Sequence, residues 1–182
     1  MLRSGSRGAG ACALLVAVAL APFSAGVHAR SQKEEEKEPV NQQELEMKAC
    51  GPKDAKSSAD TDKKNHPTPA APADMAMIYV VRPTMMGNKI QTKLGVDGKW
   101  LGVNRGNNYF FFTLAPGEHY LCSQAENRSV IAMNVQAGTT YYLQQKITMG
   151  FMKARNRLEV IDESEGKKAV AKTHLSIFGG KE

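Results

Sequence analysis

The stretch GVDGKWLGVNRGNNYFFFTLAPGEHYLC, residues 95–122, decides the fold. Asp97-Gly98 is a dipeptide that tolerates the positive φ angles of a two-residue hairpin turn, so the residues on either side read as paired strands. Ala115-Pro116-Gly117-Glu118 places proline and glycine at the two corner positions of a β-turn. Between these turns NYFFFTL alternates Tyr109 and Phe111 on one face with Phe110 and Phe112 on the other, which predicts a strand covered on both sides. The segment carries no evident catalytic group and reads as scaffold.

Working outward, the same grammar repeats from Asp74 to the C-terminus: short β-rich runs with turn residues every ten or so positions, the pattern of an all-β sandwich. MAMIYVVRP is apolar on both faces until Pro83 closes it. SVIAMNVQ sets Ile131, Met133 and Val135 on one face; Ala137-Gly138 turns the chain; TYYLQQKIT and RLEVID supply two more strands. In DESEGKKAVAKTHL, Asp162 suits an N-cap and Glu163 and Glu165 suit a first turn, so one short C-terminal helix is expected, weakened by Gly166. The expected fold is a small antiparallel β-sandwich over residues 75–178, with a frayed tail at 179–182.

The N-terminus reads differently. Arg3 and Arg7 precede the apolar run ACALLVAVALA, which ends before the small-residue site Val27-His28-Ala29, the order of a signal peptide over residues 1–29 cleaved after Ala29. That run is shorter than the roughly 20 residues that span a bilayer, so no transmembrane segment is expected after cleavage and the mature chain is expected to be periplasmic or secreted. Residues 30–74 are polar, with KEEEKE and KDAKSSADTDKKNHPTPAAPAD, and are expected to form a tether because they offer little apolar surface to offset the entropy of ordering. One short helix is expected within it near 41–50, capped by Asn41, answered by Glu44 and stopped by Gly51-Pro52.

The formal charge of +6 falls to +4 when Arg3 and Arg7 are removed, and the basic excess lies in the second half. An exported chain seldom meets nucleic acid, so none is expected as a partner; envelope glycans, lipid head groups or another envelope protein remain. Two cysteines follow the signal segment, Cys50 and Cys122, either a disulfide or two separate thiols.

Candidate sites are few. Lys146, Lys153, Arg155 and Arg157 can line one strand face and hold an anionic ligand, or keep an edge strand from aggregating. Trp100 with Asn104, Arg105, Asn107 and Asn108 can form a loop platform for a sugar, or the tryptophan can cover the sandwich end. Gly87 to Ile90 form a second end loop. Met85, Met86, Met149 and Met152 can form an apolar patch for a partner or fill gaps. Adjacent Glu118 and His119 point to opposite strand faces, and His66, His119 and His174 lack metal-ligand spacing. No nucleotide-binding or nucleophile motif occurs, so neither catalytic residues, metal nor cofactor are expected. An enzyme would require two of His66, His119, His174, Glu118 and Asp97 to converge in a pocket.

The combination IYVVRP, GVDGKWLGVNRGNNYFFFTLAPGEHYLC, AGTTYYLQQKI and LEVIDESEGKKAVAK, with ACGP and NHPTP upstream, resembles a bacterial family of exported proteins, the domain of unknown function 2846 family, over about residues 50–178. The shorter V-D-G, G, P-G-E-H pattern is also similar to PEGA-type envelope repeats. Both resemblances imply a transthyretin-like or carboxypeptidase-regulatory-like sandwich, and neither implies a catalytic residue. The expected function is a non-catalytic binding or structural module of the envelope, the alternatives being an accessory subunit that binds only another envelope protein or an enzyme of unrecognised type.

Overall fold

Strand β2, Ala76–Arg82, is buried along its whole length, and the fold is built around it. In the computed structural model, which describes residues 41–149 and 154–180, its even-numbered residues Ala76, Ile78 and Val80 face a second sheet, while Met77, Tyr79 and Val81 face the other way. The expected signal peptide lies outside the described residues.

The elements in chain order are α1 (Gln42–Ala49), β1 (Ser57–Asp62), β2, β3 (Thr92–Val96), β4 (Lys99–Asn104), β5 (Asn108–Leu114), β6 (Gly117–Gln124), β7 (Arg128–Val135), β8 (Thr140–Met149), β9 (Ala154–Ile161), α2 (Glu163–Ala171) and β10 (His174–Gly180). Six strands form one sheet in the order β1-β10-β5-β2-β8-β9, and four form the other in the order β4-β3-β6-β7. The sandwich core lies between them, with Leu94, Val96, Phe110, Leu121, Val135, Leu143 and Leu158 joining the inner face of β2. The expected turns are where the residues require them: Asp97 and Gly98 have φ of 48° and 80°, Gly117 134° and Gly138 70°.

The sandwich is mixed rather than purely antiparallel. β2 lies parallel to β8, and β10 parallel to β5. The chain crosses from sheet to sheet after β2, β4, β5 and β7, so strands that become neighbours in the larger sheet are far apart in sequence.

Two corrections concern the ends of the domain. Part of the expected tether is folded: β1 pairs with β10 along its full length, and residues 63–74 run as a strap over the outer face of the larger sheet. Tyr109 Oη donates to the Pro67 carbonyl at 2.8 Å and Tyr79 Oη to the Pro69 carbonyl at 2.6 Å; His66 Nε2 lies 3.0 Å from the Val170 carbonyl and 3.1 Å from that of Thr173. A segment with little apolar surface of its own is held by backbone pairing and by hydroxyls of the domain it crosses. The C-terminal stretch THLSIFGG, read as helix end and frayed tail, instead contributes β10, which extends into the tail as far as Gly180.

Both sheets are covered over part of their outer faces. On the larger, α2 and the strap bury Met77, Tyr79, Val81, Tyr109 and Tyr142. Asp162 caps α2 by accepting from Glu165 N at 2.8 Å. Gly166, unfavourable for a helix in isolation, is the point of closest approach: a Cβ there would sit 2.1 Å from Tyr142 Cγ. On the smaller sheet lies α1, starting at its Asn41 cap. Its last residues are fixed by the Cys50–Cys122 disulfide, with Cα atoms 5.1 Å apart, and Ala49, Trp100, Tyr120 and Val130 pack around the bridge.

Candidate functional site

Antiparallel pairing of β8 with β9 sets Lys146 directly opposite Arg157 and Thr148 opposite Arg155. Leu143, Gln145 and Ile147 point into the sandwich, so by strand alternation Lys146 and Thr148 point out, as do Arg155 and Arg157 on their own strand. Lys153 lies outside the described residues. Arg128, at the start of β7, completes a set of four cations around an open groove of about 590 Å³, whose other lining residues are Asn127, Ser129, Thr148, Asn156 and Glu159.

The balance of charge in this groove is positive. Glu159 is its single lining carboxylate among the described residues and is shared, 3.3 Å from Lys146 Nζ and 3.1 Å from Arg157 Nε. Arg128 meets Glu46 of α1 at 3.4 Å. Arg155 has no acidic partner among the described residues. Three of the four side chains therefore share two carboxylates, in contacts long enough and wet enough to contribute little to stability.

The groove has a second origin that the sequence reading missed. β9 is the last strand of its sheet, and its outward amides are met by side chains from the other sheet. Asn156 N donates to Asn127 Oδ1 at 2.6 Å, Leu158 N donates to Ser129 Oγ at 3.0 Å, and Asn127 Nδ2 donates to the Asn156 carbonyl at 2.9 Å. This seam joins β7 to β9, protects the edge by hydrogen bonding, and brings Arg128 beside the β8–β9 cations. At the opposite side Ser176 Oγ of β10 donates to the Val103 carbonyl of β4 at 2.6 Å. Asn and Ser opposite an edge strand are the signal that sequence alone leaves illegible, because it requires knowing which strands end up adjacent.

The loop platform is not assembled. Asn104 is fully buried and its amide donates to the Val80 carbonyl at 3.1 Å and to Gln145 Oε1 at 3.2 Å; Asn108 is buried and bonded to Thr61. Asn107 takes a φ of 63° and its N–H donates to the Arg82 carbonyl at 2.8 Å, while Arg105 reaches the Ala59 carbonyl at 3.4 Å. Trp100 lies over the disulfide: its Nε1 donates to the Pro52 carbonyl at 2.8 Å, its ring leaves no space for a Cβ at Gly51, and Lys93 Nζ sits 5.4 Å from its centroid. These polar groups are turned inward because residues 104–108 must satisfy the backbone of strands meeting at a sandwich corner.

The loop over Pro83 to Gln91, which includes Gly87 to Ile90, is organised by a residue the sequence reading passed over. Arg82 is 0% exposed and donates to the carbonyls of Met86, Gly87 and Ile90 and to Thr92 Oγ1. Burial pushes its guanidinium down to about 10, which leaves it charged at neutral pH. An arginine ending an otherwise apolar strand was the available clue. The loop carries Met85 and Met86 to the end of β8, where Met149 is also exposed, and a Cβ on Gly87 would lie 3.6 Å from Ile147. Met152 lies outside the described residues.

Of the residues an enzyme would need, Asp97 and His119 do converge. His119 Nδ1 lies 2.6 Å from Asp97 Oδ2, and Nε2 lies 2.9 Å from the Ala115 carbonyl. Both ring nitrogens are engaged, and the other Asp97 oxygen accepts from Tyr120 N at 2.9 Å. The pair ties the Asp97-Gly98 hairpin to the Ala115-Pro116 turn. Glu118 is 3.5 Å from Tyr120 Oη, and His174 N–H donates to the Asn107 carbonyl within the sheet corner. Among the described residues no group of three or more His, Cys, Asp or Glu side chains is placed to hold a metal ion, and no helix is long and apolar enough to cross a membrane.

Residues 72–156 match the model of a family described as a protein of unknown function, DUF2846. This stretch of the chain is similar to the DUF2846 family. An uncharacterized protein of Haemophilus influenzae is 27% identical to it over 101 residues, which is 55% of this chain and 60% of the relative's length. No solved structure matches. The DUF2846 match takes in Arg82, Cys122, Arg128, Lys146 and Arg155, and leaves outside it Cys50, most of the strap, Arg157, α2 and β10.

Proposed function

We propose that this protein is an exported, non-catalytic binding module of the cell envelope, and that the groove between β7, β8 and β9 is its recognition surface for an anionic envelope polymer. The observation that carries this reading is the cluster Arg128, Lys146, Arg155 and Arg157 around one open groove with Glu159 as its lining carboxylate. Export is supported by the disulfide, since such bridges persist in oxidising compartments, and by the signal-like order of residues 1–29. The cations stand on three strands of the two packed sheets, so a ligand meets a preformed charge pattern and little ordering cost is added on binding.

Dextran sulfate serves as the probe, with neutral dextran as control. Binding measured by calorimetry is expected to weaken steadily with added salt, because the contacts are exposed and screened over about 8 Å at physiological ionic strength. Arg155→Glu with Arg157→Glu is expected to remove it while leaving thermal stability within about 0.5 kcal/mol, as for surface changes generally. Equal retention of dextran sulfate by this variant would sink the reading.

A second reading, an accessory subunit for another envelope protein, is favoured by the exposed Met85, Met86 and Met149 at one end of the sandwich. Capture of a periplasmic partner that is lost on Met85→Ser with Met86→Ser, yet unaffected by Arg155→Glu with Arg157→Glu, is the outcome this reading expects.

A further inference from the structure

The strap shows what the outer face of the larger sheet accepts. Proline has no N–H, so a proline-rich segment offers carbonyls without matching donors. Here the Pro67 and Pro69 carbonyls accept hydroxyl hydrogens from Tyr109 and Tyr79. Next to the strap, between it and α2, runs a second groove of about 560 Å³, within the ~300–1,000 Å³ range of ligand clefts. It shares no residue with the cationic groove.

Its chemistry continues that of the strap. Tyr142 stacks on Tyr79 with centroids 5.4 Å apart and planes 17° apart, so the aromatic floor passes from beneath the strap into the groove. The Tyr142 hydroxyl has no hydrogen-bond partner among the described residues, and it lines the groove with Thr68, Thr140 and Lys167. Glu163, the carboxylate of the lining, is held 2.6 Å from Lys167 Nζ. The groove thus offers hydroxyl and ammonium donors above an apolar floor. Its natural complement is a ligand with carbonyls, apolar rings and no spare donors.

We propose that this groove is a second polyproline site, which binds an extended proline-rich peptide in trans alongside the chain's own strap, with Tyr142 donating to a peptide carbonyl as Tyr79 and Tyr109 do to the strap.

The test titrates the full mature chain, labelled with ¹⁵N, with acetylated octaproline, using a glycine-serine octapeptide as control. Saturable shifts are expected at Thr68, Thr140, Tyr142, Lys167 and Val170, and none of that kind with the control. Tyr142→Phe is expected to weaken binding about fivefold, the worth of one ordinary hydrogen bond. Thr140→Val and the exposed Lys167→Ala, which leave the core untouched, are expected to weaken it about twofold each and keep the test valid if Tyr142→Phe disturbs the fold. Tyr109→Phe, which lies under the strap and outside the groove, is expected to change it by less than twofold. Equal binding of the glycine-serine peptide, no saturable shift, or shifts centred on Tyr109, which lies under the strap and outside the groove, would each overturn the proposal.

Discussion

Reduction of the Cys50–Cys122 bridge should separate two effects that the structure assigns to different parts of the chain. The bridge joins residues 72 apart in sequence, and releasing a loop of that length adds chain entropy to the unfolded state worth about 4.4 kcal/mol at 25 °C. The folded state relaxes too. α1 has eight residues, of which only Ala49 is buried, so neither propensity nor packing holds it once the bridge opens. Residues beyond it stay attached, through Trp100 Nε1 to the Pro52 carbonyl and the pairing of β1 with β10. Because relaxation of α1 recovers part of the loss, the net cost is expected between about 2 and 4.4 kcal/mol, or roughly 1–2 M in urea midpoint at a slope near 2 kcal/mol per M. Trp100 is the single tryptophan of the chain and packs against the bridge, so its fluorescence should rise when the quenching disulfide is reduced, well before the sheet unfolds. Urea titrations of the oxidised protein and of Cys50→Ser with Cys122→Ser, followed by fluorescence and by far-ultraviolet dichroism, measure both effects. A midpoint shift under about 0.5 M, or loss of the sheet signal together with the first change at Trp100, would refute the assignment.

Gly166→Ala gains about 1 kcal/mol of helix propensity, yet its methyl would meet the root of the Tyr142 ring; overpacking of that kind costs about 1–3 kcal/mol, so a lower urea midpoint is expected, and a higher one would show that α2 is not seated on Tyr142. Burial, with smaller contributions from Tyr142 and Tyr109, pushes the Tyr79 hydroxyl up to about 12. Both states hold the proton below pH 10, but above it the unfolded chain ionises first. Stability should therefore fall between pH 10 and 12, by at most about 2.7 kcal/mol. Comparison with Tyr79→Phe isolates this fall from the opposite contribution of Arg82, and equal pH profiles for the two proteins would reject it. Asn127→Ala with Ser129→Ala leaves two amides of β9 without partners, at about 1–3 kcal/mol each if they stay buried; hydrogen exchange at Asn156 and Leu158 should accelerate selectively, and unchanged exchange would show that the seam is incidental.

What could be read from the sequence was whatever a short window determines. The Asp97-Gly98 turn, the two-faced aromatics of β5, the caps at Asn41 and Asp162 and the placement of Ile131, Met133 and Val135 in the core depend on local geometry and alternation. What stayed hidden depends on partners distant in the chain. The strap is held by Tyr79, Tyr109 and the end of α2, and β1 by β10, so a count of its own apolar residues gives the wrong answer. The stripe of Lys146, Arg155 and Arg157 was visible as alternation, whereas Arg128 joins it only through the β7–β9 seam. Asn104 reads as a surface group because turns flank it, and packing makes it, like Trp100 over the bridge, a structural tie.

The N-terminal part of the described chain acts as a belt. It lays α1 on the back of one sheet, supplies an edge strand to the other and then crosses that sheet's back as the strap. The region similar to the family starts at residue 72, within the last residues of the strap. A fragment cut at that boundary would bare Tyr79 and Tyr109 on one side and Cys122 and Trp100 on the other, two apolar faces with nothing over them. The stretch recognised by sequence and the stretch that covers both faces of the sandwich therefore differ here.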